Sequence, residues 1–452
     1  MNTVIPNNIE NKKISIMGYG ISGIGAAKLA LYLGAKVFVS EKNIINKSDK
    51  LIKEISFEEG HHSPKCYDCD LAIVSPGINT DNSFFNEFRE KKIPLISEVE
   101  FASWFSKSTI IGITGSNGKS TTVSLLYHIL VKQYKKTYLG GNIGTSFSAN
   151  VLNELSNDIK KPIHVLELSS FQLENIYNFK PDIASILNLS NDHLDRYSDT
   201  EDYYNAKKNI LRNMNKKCYF IYNSKNQKDY TENMLNKANS ISFSVNNKKT
   251  NYYLENNFII DKKTKKQFLD CSKIKLIGTH NIENILVAIE IAKILGINNT
   301  DIEKSIYSFS PLNHRMERII TKSNITFIND SKSTNPDSAI RAILCSKKNT
   351  ILILGGYSKG KINYKRIFNI EFKNIKYIVC YGTEGKIIYE QLKNMFKCLY
   401  IKKFQGATIN AIKLAKSNYR VLLSPACSSF DQFNNFEERG NKFKNIVKKY
   451  SA

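Results

Sequence analysis

The sequence predicts an α/β protein of three successive domains, each built around a mainly parallel sheet. Short apolar runs alternate with helical patterns along most of the 452 residues, as strand–helix–strand units require. Two of those runs empty into glycine-rich turns that open helices, at Gly18–Gly23 and at Gly112–Lys119. Strand-like runs keep recurring as far as residue 423. The expected division is a Rossmann-like N-terminal domain over 1–106, a central P-loop ATPase-type domain over 107–311 and a Rossmann-like C-terminal domain over 312–452.

The first segment opens with the strand Lys13–Met17 and the turn Gly18-Tyr-Gly20-Ile-Ser-Gly23. A helical stretch from Ile24 to Leu33 follows, Gly34 ends it, and Val37–Val39 is a second strand. Glycines here let a phosphate approach the positive end of the new helix. An acidic residue after the second strand would hold a ribose, and Glu41 stands near that place behind Ser40. The pattern serves a nicotinamide dinucleotide or another nucleotide's diphosphate equally well. Leu71–Val74 is a further strand, running into Ser75-Pro76-Gly77.

The second segment starts with Gly112-Ile-Thr-Gly115-Ser-Asn117-Gly118-Lys119-Ser120-Thr121 after the apolar run Thr109–Ile111. Strand, glycine turn, Lys-Ser-Thr and helix together form a cradle for a nucleoside triphosphate. Backbone N–H groups approach the phosphates, Lys119 reaches the terminal ones, and Ser120 binds the accompanying magnesium. Glu167 ends the run Val165-Leu-Glu, where a carboxylate is placed as a metal ligand. His193 follows the strand run Ile183–Leu189 in Asn-Asp-His-Leu-Asp and is a candidate magnesium ligand. Residues 222–270 are rich in Asn and Lys, with short alternating runs that read as exposed hairpins. Gly278-Thr-His-Asn-Ile-Glu-Asn introduces a long helix ending near Gly296. The third segment carries strands at Ile325–Ile328, Thr350–Leu354, Tyr377–Cys380 and Val421–Leu423. Their ends carry Lys, Ser, Thr and Arg, a surface that suits a small anionic substrate.

Composition narrows the function. Sixty-five Lys and Arg against forty-one Asp and Glu give a net charge of +24. The lysines are scattered among Asn and Ile rather than gathered in a stripe, so the excess favours anionic substrates and not nucleic acid. No apolar run approaches the roughly 20 residues that cross a bilayer, and the N-terminus lacks a signal-peptide pattern. The chain is therefore expected to be cytoplasmic, with its eight cysteines reduced. Cys66 and Cys69 form a C-x-x-C behind His61 and His62, but no second pair follows at zinc-finger spacing.

Taken in order, TGSNGKST, ELSSFQLE, NLSNDHLDRY, GTHNIEN, PLNHRME, NDSKSTNP, LGGYSKG and SPACSSFDQFNNFEERG resemble the Mur ligases of peptidoglycan synthesis. The last motif, with the SPG turn, points to the branch that adds D-glutamate. The resemblance implies ATP-dependent amide formation through an acyl phosphate, in a monomer acting on UDP-N-acetylmuramoyl-L-alanine, D-glutamate and ATP. It implies two magnesium ions on Ser120, Glu167, His193 and Lys207, the last as a carbamylated lysine, so that Lys119, Glu167, His193 and Lys207 form the catalytic set. ATP would be held by Gly115, Asn117, Gly118, Lys119, Ser120, Thr121, Asn281 and Asn284. Arg315, Asp330 and Lys332 would meet the nucleotide on domain closure. The UDP-sugar would contact Gly20, Ile21, Ser22, Ser75, Pro76, Gly77, Asn142, Gln172 and His193. D-Glutamate would contact Thr334, Lys359, Ser429 and Phe436. Where the family often carries an acidic residue directly after the second strand, this chain reads Ser40-Glu41-Lys42.

Overall fold

A computed structural model describes residues 8–45, 50–193, 196–358, 362–368 and 372–450. Contacts divide the chain into two compact units. One comprises Met1–Leu189, Glu201–Ser272 and Glu283–Tyr307, and the other Ser190–Thr200, Lys273–Ile282 and Ser308–Ala452.

The first unit holds two parallel sheets. Five strands run in the order Ser56–Glu59, Lys36–Glu41, Lys13–Met17, Leu71–Val74, Leu95–Ser97. Ile14, Ile16, Val39 and Ile73 are buried in it, the near-continuous apolar text of strands covered on both faces. The first helix begins at Ile21, three residues earlier than its apolar pattern suggests, because Gly20 already stands as an extended N-cap. The second sheet runs Asn239–Phe243, Tyr219–Asn223, Ile183–Ile186, Thr109–Thr114, Ile163–Glu167, Thr137–Gly141. Its first strand, Asn239–Phe243, falls inside the 222–270 stretch read as exposed hairpins, yet it pairs in parallel with Tyr219–Asn223, which mostly precedes that stretch. Phe220 and Ile221 are buried there, although the surrounding Lys and Asn hide them in the text. Hairpin pairing does occur further on, where Tyr252–Glu255, Phe258–Asp261 and Lys266–Asp270 form an antiparallel meander.

Helix Phe147–Ser156, capped by Ser146, lies so close to helix Ile21–Tyr32 that a Cβ on Gly25 would stand 1.9 Å from Ser146 Oγ. Next to this seam Glu98 is buried and accepts a hydrogen bond from the Ser148 N–H, while its Oε2 has no partner. Burial pushes the Glu98 carboxyl up to about 7. Neighbouring Glu100 is just as deep but accepts bonds from Tyr177, Asn178 and Phe179 N–H and from Trp104 Nε1.

The second unit carries the sheet Glu317–Ile319, Thr326–Asn329, Arg420–Ala426, Thr350–Gly355, Ile375–Tyr381, Cys398–Tyr400. Only the first pair is antiparallel. Among the described residues no helix is long and apolar enough to cross a membrane.

Candidate functional site

In an open parallel sheet, ligands bind beyond the carboxyl ends of strands where the winding direction reverses. Strand Thr109–Thr114 is such a point: the chain builds outward from it on one side and returns to the other with Ile183–Ile186. The loop after it is shaped by its glycines. Gly115 and Gly118 have φ of 145° and 90°, and a Cβ on Gly118 would stand 2.4 Å from Asn284 Oδ1. Gly118 caps helix Lys119–Leu130 without a side-chain hydrogen bond, and Gly20 does the same for helix Ile21–Tyr32. Two helix N-termini therefore keep their first N–H groups for other partners.

Lys119 Nζ folds back onto the carbonyls of Gly115 (2.7 Å) and Ser116 (3.3 Å). Asn117, Ser120 and Thr121 are buried around it. On the adjacent strand end, buried Glu167 accepts a bond from Asn142 Nδ2 (2.9 Å) through Oε1, whereas Oε2 has no partner. An enclosed carboxylate oxygen left open beside a triphosphate loop fits a hard cation with oxygen ligands. Lys207, on helix Thr200–Lys208, is 1% exposed; its Nζ donates to the Gly115 carbonyl at 3.2 Å and lies over the Tyr203 ring. Lys208 turns away to pair with Glu201.

One partner of this loop opens the motif NLSNDHLDRY, although no role is assigned to it from the sequence. Asn188 accepts from Asn117 N–H (2.8 Å), donates to the Asn117 carbonyl (2.9 Å), and its own carbonyl takes the Ser116 N–H. That bracket fixes the cradle before any nucleotide arrives. The local hints are its place in the buried strand run and at the head of that motif.

The first sheet reverses between Lys13–Met17 and Leu71–Val74, and a cavity of about 490 Å³ lies there. Gly20, Ile21, Ser22, Ser75, Pro76, Gly77, Asn142 and Gln172 all line it. Gln172 also closes a capping box with Ser169, which fixes the short helix Ser170–Glu174. Glu41 stands on the rim, accepting from Tyr19 N–H (2.7 Å) and Asn43 N–H (2.9 Å). Burial favours its neutral form, but those donors outweigh it and hold the carboxyl below its ordinary value.

In the second unit, His193 has a φ of 57°, and its N–H bonds Asp192 Oδ1. It lines a cavity of about 640 Å³ with Asp192, Thr334, Asn335 and Arg366. Asn335 Nδ2 holds Asp192 at 2.9 Å and caps helix Pro336–Leu344. Ser429 and Phe436 lie outside the lining of this cavity, and Lys359 lies outside the described residues. Asp330 is buried, and burial lifts its carboxyl to about 6 against the opposing pull of Arg315 and Ser424. Lys332 Nζ sits over the Phe436 ring. Asn281 donates to the Ile277 carbonyl at 2.7 Å. Sequence reading also missed Arg439. Fully buried, it bonds the Ser331 hydroxyl and carbonyl, the Tyr381 hydroxyl and the carbonyls of Cys427 and Ser428, which staples three strand-end loops together.

Comparison with known proteins places this geometry. The Mur ligase middle domain matches residues 113–292, and the MurD N-terminal domain matches residues 13–84. A UDP-N-acetylmuramoylalanine–D-glutamate ligase of Christiangramia forsetii is 38% identical over 97% of this chain and 99% of its own length. One from Clostridioides difficile is 36% identical over 97% and 99%. Among solved structures, the UDP-N-acetylmuramate–alanine ligase MurC of Thermotoga maritima shares the fold. Its TM-score is 0.62 at 21% identity, covering 96% of this chain and 98% of that one.

Proposed function

The chain belongs to the Mur ligase family, and from that premise we propose that it joins D-glutamate to UDP-N-acetylmuramoyl-L-alanine in an ATP-dependent amide ligation. The observation that carries the chemistry is the triphosphate loop with Lys119 beside the open oxygen of Glu167. The choice of substrates rests on the full-length relatives of that name.

The alanyl carboxylate attacks the γ-phosphorus, the bond to the bridging oxygen breaks, and ADP leaves with the electron pair. The D-glutamate amine then attacks the acyl phosphate carbon. The tetrahedral adduct expels phosphate, and the nitrogen gives up a proton. Carboxylate and triphosphate repel one another, so positive charge must stand between them. Lys119 supplies one such charge once nucleotide draws its Nζ off the loop carbonyls. The N–H groups behind Gly118 supply partial charge that needs no rearrangement. Magnesium, two ions of it, would be held by Ser120, Glu167 and a carbamylated Lys207, and would supply the remaining charge neutralisation. Lys207 suits that role because carbamylation turns its cation into an anionic oxygen ligand, and burial at Gly115 holds it by the loop. The role of His193 rests on its motif.

Domains 1–106, 107–311 and 312–452 would take the UDP-sugar, ATP and the amino acid respectively. We place the enzyme in the cytoplasm as a monomer, where its nucleotide substrates are made. The deciding assay is phosphate release from ATP with UDP-N-acetylmuramoyl-L-alanine and either D-glutamate, L-glutamate, L-lysine or no amino acid. Release with D-glutamate alone is expected. Release with L-lysine instead would move the chain within its family, and silence with every acceptor would overturn the ligase reading.

A further inference from the structure

In the second unit, helix Gly382–Leu392 follows strand Ile375–Tyr381 and turns one face to the loop after strand Thr350–Gly355. Two side chains seven residues apart share that face. Buried Glu384 donates its N–H to the Gly356 carbonyl (2.9 Å), and its carboxylate accepts from the Ser358 and Tyr364 hydroxyls. Gln391 Oε1 accepts from Tyr364 N–H (2.7 Å) and Lys365 N–H (3.3 Å), while its Nε2 donates to the Ile362 carbonyl (3.3 Å). One helix thus holds the chain on both sides of Lys359. Lys359 itself lies outside the described residues.

The grip reaches a second loop. Tyr357 and Ser428 exchange backbone hydrogen bonds in both directions at 3.0 Å, and Ser428 Oγ donates to the Tyr357 carbonyl at 2.8 Å. Ser429 is the next residue. Gly356 leaves this pairing no slack, since a Cβ on it would stand 2.2 Å from the Ser428 carbonyl oxygen. Tyr364 ties in the same loop, its hydroxyl lying 3.4 Å from Cys427 Sγ. The tyrosine has one proton, which the Glu384 carboxylate takes, so its oxygen accepts from the thiol. Burial pushes the Cys427 thiol up to about 12, so it has a proton to give. Burial also works against the charge of Glu384. An apolar side chain would bury there without that cost, so the carboxylate is explained by the segments it holds.

Granted the ligase reading above, we propose that Glu384 is a positioning residue for the incoming amino acid, acting through Gly356–Ser358 on Ser429 of the paired loop. D-Glutamate presents two carboxylates at a set spacing. Donors on separate loops match both only if the loops keep their separation. Glu384 fixes that separation where Tyr357 meets Ser428, and Gln391 secures the chain beyond. The carboxylate ties segments of the protein together and does no chemistry on the substrate. The triphosphate loop and the residues lining the first-sheet cavity belong to the other unit. The KM values for ATP and the UDP-sugar therefore serve as internal controls.

The test measures steady-state KM for D-glutamate, ATP and the UDP-sugar in the full-length enzyme, for wild type, Glu384→Ala, Glu384→Gln, Gln391→Ala and Ser358→Ala. Glu384→Ala should raise KM for D-glutamate about tenfold, the scale of one buried hydrogen bond, and keep the other two within about twofold. Glu384→Gln, whose amide oxygen still accepts, should recover most of that loss. Ser358→Ala and Gln391→Ala should each raise the same KM by about threefold. A role confined to folding would instead lower kcat through loss of active enzyme and leave all three KM values alone. Three outcomes would overturn the proposal: an unchanged KM for D-glutamate in Glu384→Ala, a rise shared equally by all three substrates, or a Glu384→Gln enzyme no better than Glu384→Ala. Should Glu384→Ala fail to fold, Ser358→Ala, which removes a single hydroxyl, decides by the same KM comparison. Absence of turnover by wild type with D-glutamate would remove the ligase reading.

Discussion

The turn after Met17 and the turn after Thr114 share one plan: a buried strand, a glycine with positive φ directly after it, and a helix whose N-cap is a glycine without a side chain to satisfy it. They differ in what surrounds the exposed N–H groups. Behind Gly118 stand two lysines, an unpartnered carboxylate oxygen and the Asn188 bracket. A Cβ on Gly20 would meet nothing within 4 Å, and the cavity lining is mostly glycine, serine, proline, Asn142 and Gln172, with Lys42 as its one lysine beside Glu41 and His62. One plan therefore serves two tasks. Under the proposed function the first turn would hold a diphosphate, whereas transferring a phosphoryl group at the second needs mobile positive charge placed where new charge develops.

The comparison can be broken at four places. Lys119→Ala should cost about 10³-fold in kcat, the upper range for removing one group that stabilises developing charge. The KM for the UDP-sugar should stay within about twofold in the same steady-state assay. Retention of most activity would make the two turns equivalent. Lys207→Ala should lose about a hundredfold, recover part of it with added short carboxylates, and leave Lys208→Ala close to wild type. Rescue of the Lys208 variant instead would move the metal role by one residue.

The seam between helices Ile21–Tyr32 and Phe147–Ser156 gives the third test. Glu98 has a folded-state pKa of about 7 against an ordinary 4.5. Its folded form thus holds the proton more tightly than the unfolded chain. The associated stability is complete below about pH 4.5 and is lost as pH rises through 7. At about 1.4 kcal/mol per unit, the loss by pH 8 is on the order of 3 kcal/mol. Glu98→Gln keeps the acceptor for Ser148 and should remove this dependence. In denaturant melts its advantage over wild type should grow from pH 5 to pH 8, and a constant difference would contradict the assignment. Smallest is the glycine pair. Gly118→Ala should lower stability by about 1–2 kcal/mol through its left-handed backbone and the Asn284 contact. Gly20→Ala, at a φ of −82°, should melt like wild type and raise only the KM for the UDP-sugar.

Apolar runs between turns made the central strands of the three main sheets legible, because buried parallel strands write themselves as unbroken hydrophobic text, whereas the short outer strands Ser56–Glu59, Leu95–Ser97, Thr137–Gly141, Glu317–Ile319 and Cys398–Tyr400 were not read. Tyr219–Asn223 and Asn239–Phe243 escaped because flanking Lys and Asn dilute that signal. In the site, residues tied to a glycine turn could be read locally, and the cavity gathers Gly20 to Ser22 with Ser75 to Gly77 as the turns imply. Asn188 and Arg439 stand inside the motifs NLSNDHLDRY and SPACSSFDQFNNFEERG, but their roles could not be read. Their partners Asn117 and Ser331 lie 71 and 108 residues away, and nothing local distinguishes a stapling side chain from a surface one. Choosing between Lys207 and Lys208 likewise required burial, which spacing does not supply.

The third sheet closes in an order unlike its sequence. Strand Arg420–Ala426 enters between Thr326–Asn329 and Thr350–Gly355, whose starts precede its own by 94 and 70 residues. Until it arrives, those two strands each present an unpaired edge, and the loops that Arg439 will staple have nothing to close upon. Maturation of this sheet is thus a late, long-range event. The nascent chain spends that interval with the kind of open strand edges that chaperones bind and that seed misassembly.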